Sequence, residues 1–495
     1  MLEGFRSDLV DFSRTWMREQ YLFLSGQKAG LEIAPIYERY GDLFTLDSIT
    51  QLKRILEETP EHFATERVGV RRLLLFASEQ FLEFSARELT ERLCAYETDT
   101  RIDIGGRVLT FQQAAVALRT EPDRQSRRAI FTARGDVIDA ANDLRSERLA
   151  TLYASALKLG YDSYTGIYEN LWGLDYRALA AEASVLISET EETYRANLDL
   201  ALRRSLNLRL DQAERADALY FLHLTPYDEY FPAHALLDVC KATLLGLGIN
   251  IEGQANIEFD SEARPHKTAR AFCMPISVPE EIKLVIHPMG GQADYQTLLH
   301  EAGHAQHYAW TSPGLPAEFK YTGDYALTEC YAFLFNHLIS NTGWLAEMLG
   351  FADSREFSRQ VMLTRLLQAR RYVAKLSYEC ELHDGGDAGQ ARDRYAELQT
   401  RATAFETDPG EFLFDLDDSF YSANYVRAWA FEVLLRDHLM TRFGTSWWKS
   451  QRAGRFMKEM WELGDRYTAD EIAVLIGIGP ITFGPLIEEF KKALR

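Results

Sequence analysis

His300 and His304 stand four residues apart in His300-Glu301-Ala302-Gly303-His304, a spacing that suits two ligands of one metal ion. The flanks, 295–299 before and 305–310 after, contain no proline and predict a helix. Residues four apart on a helix share a face, so both imidazoles can reach one zinc ion at Zn–N distances of about 2.0–2.1 Å. Glu301 is turned by ~100° from His300. It is thereby excluded as a third ligand and left to act on a water as general base. The pattern predicts metal-assisted hydrolysis. His307 lies on the same face but about 10 Å along the axis from His300, too far for both to hold one ion. It also occupies the position where a metzincin needs its turning glycine, which disfavours that class.

Catalytic zinc normally takes three protein ligands, so a third is expected downstream. The segment 325–335 is strongly apolar and free of proline, with Glu329 in its middle. An unpaired carboxylate buried there would cost several kcal/mol or become neutral, and a metal ion removes that penalty. His300, His304 and Glu329 are the predicted ligands of one zinc per chain. The alternative is a Glu329 that faces solvent or pairs with an arginine.

Taken together, His-Glu-Ala-Gly-His-Ala-Gln-His at 300–307 and Glu329, 25 residues past His304, resemble the thimet oligopeptidase and oligoendopeptidase F family of zinc peptidases. Ala269-Arg-Ala-Phe-Cys-Met-Pro275 is similar to the family's edge strand beside the substrate. Tyr421-Ser-Ala-Asn-Tyr425-Val-Arg-Ala-Trp429 resembles its tyrosine-bearing helix, and Tyr425-Val-Arg427 echoes angiotensin-converting enzyme. The resemblance covers about residues 264–440. It implies a mainly α, two-lobed helical metallopeptidase fold with a small β-sheet beside the zinc helix and a deep cleft that admits short unfolded peptides. The chain departs from the pattern at Ala428, where both families carry a further tyrosine, and across 412–418, where they carry a histidine. Tyr421 and Tyr425, at i and i+4 on one helical face, remain as candidate oxyanion donors, with packing as the competing role.

The elements that must position these residues are predicted to be helical. Amphipathic segments cover roughly 5–24, 66–95, 110–160, 354–383 and 391–405, and Leu179, Ala183, Leu186, Ile187, Tyr194, Leu198 and Ala201 recur as one buried stripe. Breaks are expected at Gly105-Gly106, from Pro226 to Pro232, and from Asp384 to Gly389. The one clear β signal is 271–274 with 282–286, whose flanking prolines suggest a small exposed sheet able to dock an extended peptide. No repeat or linker marks a second domain, so residues 1–495 read as one domain, with a helical lobe over about 1–225 and a catalytic core over about 264–440.

Composition agrees with a large soluble enzyme: 46% of the residues are hydrophobic, enough for a sizeable core. A net charge of −20 argues against nucleic acid as partner. No run of 18 apolar residues predicts a membrane span, and no secretory signal is visible. Five widely spaced cysteines read as reduced thiols in a cytoplasmic protein, with Cys273 and Cys330 as packing residues.

The expected reaction is peptide hydrolysis with Glu301 as proton carrier, Tyr421 or Tyr425 as oxyanion donor, and His307 supporting the ligands or facing substrate. Rival expectations are a carboxypeptidase or dipeptidyl carboxypeptidase, with Arg427 or Arg270 pairing the substrate's terminal carboxylate, and a catalytically impaired peptide-binding relative.

Overall fold

A computed structural model describes residues 2–28, 30–264, 267–268, 271–385 and 388–495. Ala269 and Arg270 lie outside the described residues, as do Gly386 and Asp387 of the 384–389 break. The described chain is mainly helical with small sheets.

In chain order, the elements that matter here begin with α1 (Leu2–Leu24) and α2 (Ala64–Asp99). A hairpin follows, β1 (Arg101–Ile104) and β2 (Arg107–Thr110). Next come α3 (Phe111–Thr120), α4 (Arg124–Ala140), α5 (Asn142–Lys158), α6 (Tyr164–Trp172) and α7 (Tyr176–Leu206). Three strands, β3 (Ile257–Asp260), β4 (Phe272–Ser277) and β5 (Glu281–Val285), precede α8 (Gln292–Trp310) and α9 (Tyr325–Asn336). The remainder includes α10 (Arg355–His383), α11 (Ala388–Thr403), α12 (Tyr421–Phe443) and α13 (Ala469–Leu475).

Local chemistry explains several boundaries. The amphipathic stretch 110–160 breaks between α3 and α4 because Pro122 disfavours helix at Glu121 and Asp123 then caps α4, accepting from Ser126 N at 2.7 Å; a second break, between α4 and α5, falls at Ala141, whose φ of −94° and ψ of 1° leave the helical region. Thr110 and Gln113 form a reciprocal capping box that starts α3. The expected break at Gly105-Gly106 is the turn of a hairpin that alternation alone did not reveal: both glycines have positive φ, +61° and +93°. Of the predicted stripe on α7, Ala183, Leu186, Tyr194, Leu198 and Ala201 are buried, and Leu179 and Ile187 are half-buried.

The described residues cluster into two compact units, each assembled from separate stretches of sequence. The first comprises Met1–Ala77, Pro226–Ser358 and Arg427–Leu486. It contains a three-stranded sheet of order β3-β5-β4, in which β3 runs parallel and β4 antiparallel to β5. Tyr21 of α1 packs with Met274, Ile276 and Val285 on one face of this sheet. The second unit comprises Ser78–Thr225, Arg359–Val426 and Ile487–Arg495. One core there gathers Ile102, Leu109, Phe111 and Ile130 around the hairpin, and another gathers Tyr378, Leu382, Tyr395, Phe412 and Leu413.

Candidate metal centre

The first unit brings α8 and α9 into direct apposition, and Gly303 is the reason they can approach so closely. A Cβ at this position would lie 2.6 Å from Ala332 Cα and 2.8 Å from the Tyr331 carbonyl oxygen, so any side chain would push backbone against backbone. Helix α9 is buried at every position from Ala326 to Phe335, as its nearly continuous apolar sequence requires. Asp324 caps its start, accepting from Ala326 N at 3.2 Å, and is gripped by both terminal nitrogens of Arg427 at 2.8 Å each.

Where the helices meet, His300, His304 and Glu329 converge. His300 Nε2 lies 3.2 Å from His304 Nε2 and 3.3 Å from Glu329 Oε2, and His304 Nε2 lies 3.7 Å from that same oxygen. Donors about 2.0–2.1 Å from a tetrahedral centre stand about 3.3–3.4 Å apart, so the triangle matches three ligands of one ion. Among the described residues it is the one group of three or more His, Cys, Asp or Glu side chains whose ligating atoms all lie within 4.8 Å of one another. Glu329 is 3% exposed, so the expectation of a buried carboxylate holds and the solvent-facing alternative does not. Burial pulls the His304 ring down to about 4 against the opposing charge of Glu329, which keeps the imidazole neutral, the form that ligates metals.

Glu301 stands outside the triangle. Its Oε2 accepts from the Cys273 backbone N–H at 2.9 Å, tying the helix to strand β4. Since that N–H points at Glu301 and not at β5, Cys273 and Leu284 form a non-hydrogen-bonded pair, and the polar backbone of Cys273 faces the open edge of the sheet. Pro275, two residues on, has the same orientation, so its missing N–H leaves no gap in the ladder.

Thr328 escaped the sequence reading. Its hydroxyl lies 2.8 Å from His304 Nδ1, fixing the ring so that Nε2 faces His300 and Glu329, and Tyr308 hydrogen-bonds the same hydroxyl. A signal was present, because a threonine in so apolar a helix needs a partner for its hydroxyl. His307 is fully buried beside Tyr331, with ring centroids 5.0 Å apart, and burial pulls it down to about 3. Arg427 is committed to Asp324 and, at 2.7 Å, to Asp470 at the start of α13. Cys330 is fully buried and Cys273 half-buried; both are free thiols, held well above their ordinary range by burial.

Tyr421 and Tyr425 belong to the second unit, in the first turns of α12. Both are half-buried, their rings are 5.2 Å apart, and Tyr425 packs on Tyr372 at 5.0 Å.

Comparison with models of known protein families gives no match for this chain. Comparison with curated proteins gives none either.

Proposed function

We propose that the chain is a zinc-dependent oligopeptidase that hydrolyses peptide bonds of short unfolded peptides, with His300, His304 and Glu329 as ligands and Glu301 as general base. The observation that carries this reading is the three-donor triangle with a carboxylate beside it, held out of the ligand set by a backbone amide. Zinc bound there would polarise the scissile carbonyl and lower the pKa of water towards ~7.

The residues of the chain supply the rest. Glu301 takes the proton of the attacking water and returns it to the leaving amine, a role that typically contributes ~10²–10⁴-fold. The open edge of β4 aligns an extended peptide by main-chain hydrogen bonds, so that recognition depends little on side chains. Tyr421 or Tyr425 donates to the oxyanion that forms in the transition state. Thr328, 2.8 Å from His304 Nδ1, holds that ring in the orientation in which Nε2 faces the other two ligands. The likeness of 300–307 and Glu329 to the thimet oligopeptidase and oligoendopeptidase F family supports the same reaction and its two-lobed fold. Arg427 gives no support to the carboxypeptidase reading, since two carboxylates already occupy its guanidinium.

Metal analysis and a quenched peptide library test the reading together. One zinc per chain and internal cleavage are expected, with Glu301→Gln keeping the metal and losing most turnover. A protein that binds zinc and cleaves no peptide is a binding relative, and the proposal falls.

A further inference from the structure

The second unit contains a strained segment that the metal chemistry does not use. Ser419 and Phe420, consecutive and neither of them glycine, both adopt left-handed backbone conformations, with φ of +60° and +55°. L-residues avoid this region because Cβ crowds the carbonyl, and such strain persists only where the surroundings over-determine it.

Here the surroundings do so from several sides. Tyr164 of α6 accepts from Ser419 N at 3.0 Å, and Tyr168 shares a hydrogen bond with Ser419 Oγ at 2.9 Å. Glu79 of α2 bonds the same serine side chain. Arg148 of α5 grips both oxygens of Asp418, at 3.0 and 2.9 Å, and Lys375 pairs with Asp417 at 2.8 Å. Glu379 of α10 accepts from Asp417 N at 2.9 Å and from Ser422 Oγ, so one carboxyl spans the strained residues from before to after. Phe420 stacks on Tyr176 at 4.4 Å and meets His383 at 5.0 Å. A glycine at 419 would adopt the same backbone without strain, but it would forfeit the contacts to Tyr168 and Glu79.

We propose that Ser419, Tyr168 and Glu379 are positioning residues, which lock the 417–422 segment so that the first turns of α12 present Tyr421 and Tyr425 in a single orientation. Holding two phenols in place before substrate arrives is what an oxyanion donor requires, because a donor that must reorganise during reaction contributes little. This inference rests on the peptidase reading for what the tyrosines do, and on the geometry of the second unit alone for what holds them.

The test uses the full zinc-loaded chain and three variants, Ser419→Gly, Tyr168→Phe and Glu379→Leu, the last removing both acceptor oxygens, with hydrogen exchange followed over 417–426 and turnover of a quenched peptide. Each variant is expected to lose at least ~10-fold of its exchange protection over 421–425, as a loosened local unit does. Misplaced donors should lower kcat by ~10–100-fold with KM and zinc content unchanged. Ser419→Asn, which tolerates the left-handed region and keeps a polar side chain, should preserve both properties. A merely structural role would lower Tm and leave the kcat of the folded protein intact, and that outcome overturns the proposal. Unchanged protection in both Ser419→Gly and Tyr168→Phe overturns it too. Should Ser419→Gly fail to fold, Tyr168→Phe removes a single hydroxyl and carries the test. If the wild type binds zinc without turnover, the peptidase reading fails, and the exchange measurement alone decides whether these residues order the helix.

Discussion

The metal centre and the 417–422 segment both hold polar groups in apolar surroundings, yet they do so by opposite means. At the metal centre the backbone is regular: two helices touch through Gly303, helical periodicity puts His300 and His304 on one face, and the close packing brings Glu329 to them. In the 417–422 segment the backbone is irregular, and side chains from five helices fix it in a conformation it would otherwise avoid. A site built on regular elements is precise because its scaffold is stiff. One built on an irregular segment is precise only while its tethers hold, and so it is more exposed to substitution at a distance and to pH.

Removing a ligand should have the largest effect. His300→Ala, His304→Ala and Glu329→Ala are each expected to abolish stoichiometric zinc in a protein that remains helical by circular dichroism. Full zinc in the Glu329 variant would mean that the donor triangle is not the binding set. A smaller loss is expected from Thr328→Val, which keeps the volume and removes the hydroxyl facing His304. Zinc affinity should fall ~10–100-fold, measured by competition with a chelator, while the fold is retained. Unchanged affinity would show that helix geometry alone orients the ring.

Gly303→Ala tests the stiffness of the scaffold directly. Its Cβ meets backbone, so a helix must shift, and a loss of about 1–3 kcal/mol in denaturant unfolding of the metal-free protein is expected. A variant as stable as the wild type would show that α8 and α9 have room to spare.

The smallest effect concerns pH and falls on the other side of the comparison. Burial raises the Glu79 carboxyl from 4.5 to about 7, with Glu83 adding to the rise and Ser419 opposing it. Burial also raises Glu379, helped by Asp417 and opposed by Lys375. The folded state therefore holds these protons more tightly than the unfolded chain does. The stabilisation from Glu79 is complete below 4.5 and is lost as pH rises through about 7. Exchange protection over 417–422, corrected for intrinsic rate, should fall across that interval, and Glu79→Gln should flatten the change. A flat profile in the wild type would show that the segment does not feel its carboxyls.

What the sequence made legible follows the same division. The pairing of His300 with His304, the exclusion of Glu301 and the burial of Glu329 were all readable, because helical spacing converts directly into geometry. Strands β4 and β5 were readable from their apolar runs. Strand β3 was not, since Ile257-Glu-Phe-Asp260 alternates apolar and charged residues over only four positions, too short a run to stand out, and its pairing with β5 is made only on folding. Ser419 gave no warning either: nothing in Asp417-Asp418-Ser419-Phe420 announces a left-handed conformation, because the forces that impose it come from residues as distant in sequence as Tyr164 and Glu379. The interleaving of two units from discontinuous segments is likewise no local property of the chain.

The open edge of β4 has a further consequence. Its Cys273 donor is occupied by Glu301, Pro275 has none, and the Val278 N–H is taken by the Tyr321 hydroxyl at 3.2 Å. Such an edge presents acceptors with few matching donors, so a long strand from a second copy of the chain finds only part of a ladder there, while a short peptide needs no more than the few bonds its own N–H groups donate. The same arrangement that leaves room for a short guest would discourage strand-to-strand aggregation, which exposed sheet edges otherwise invite.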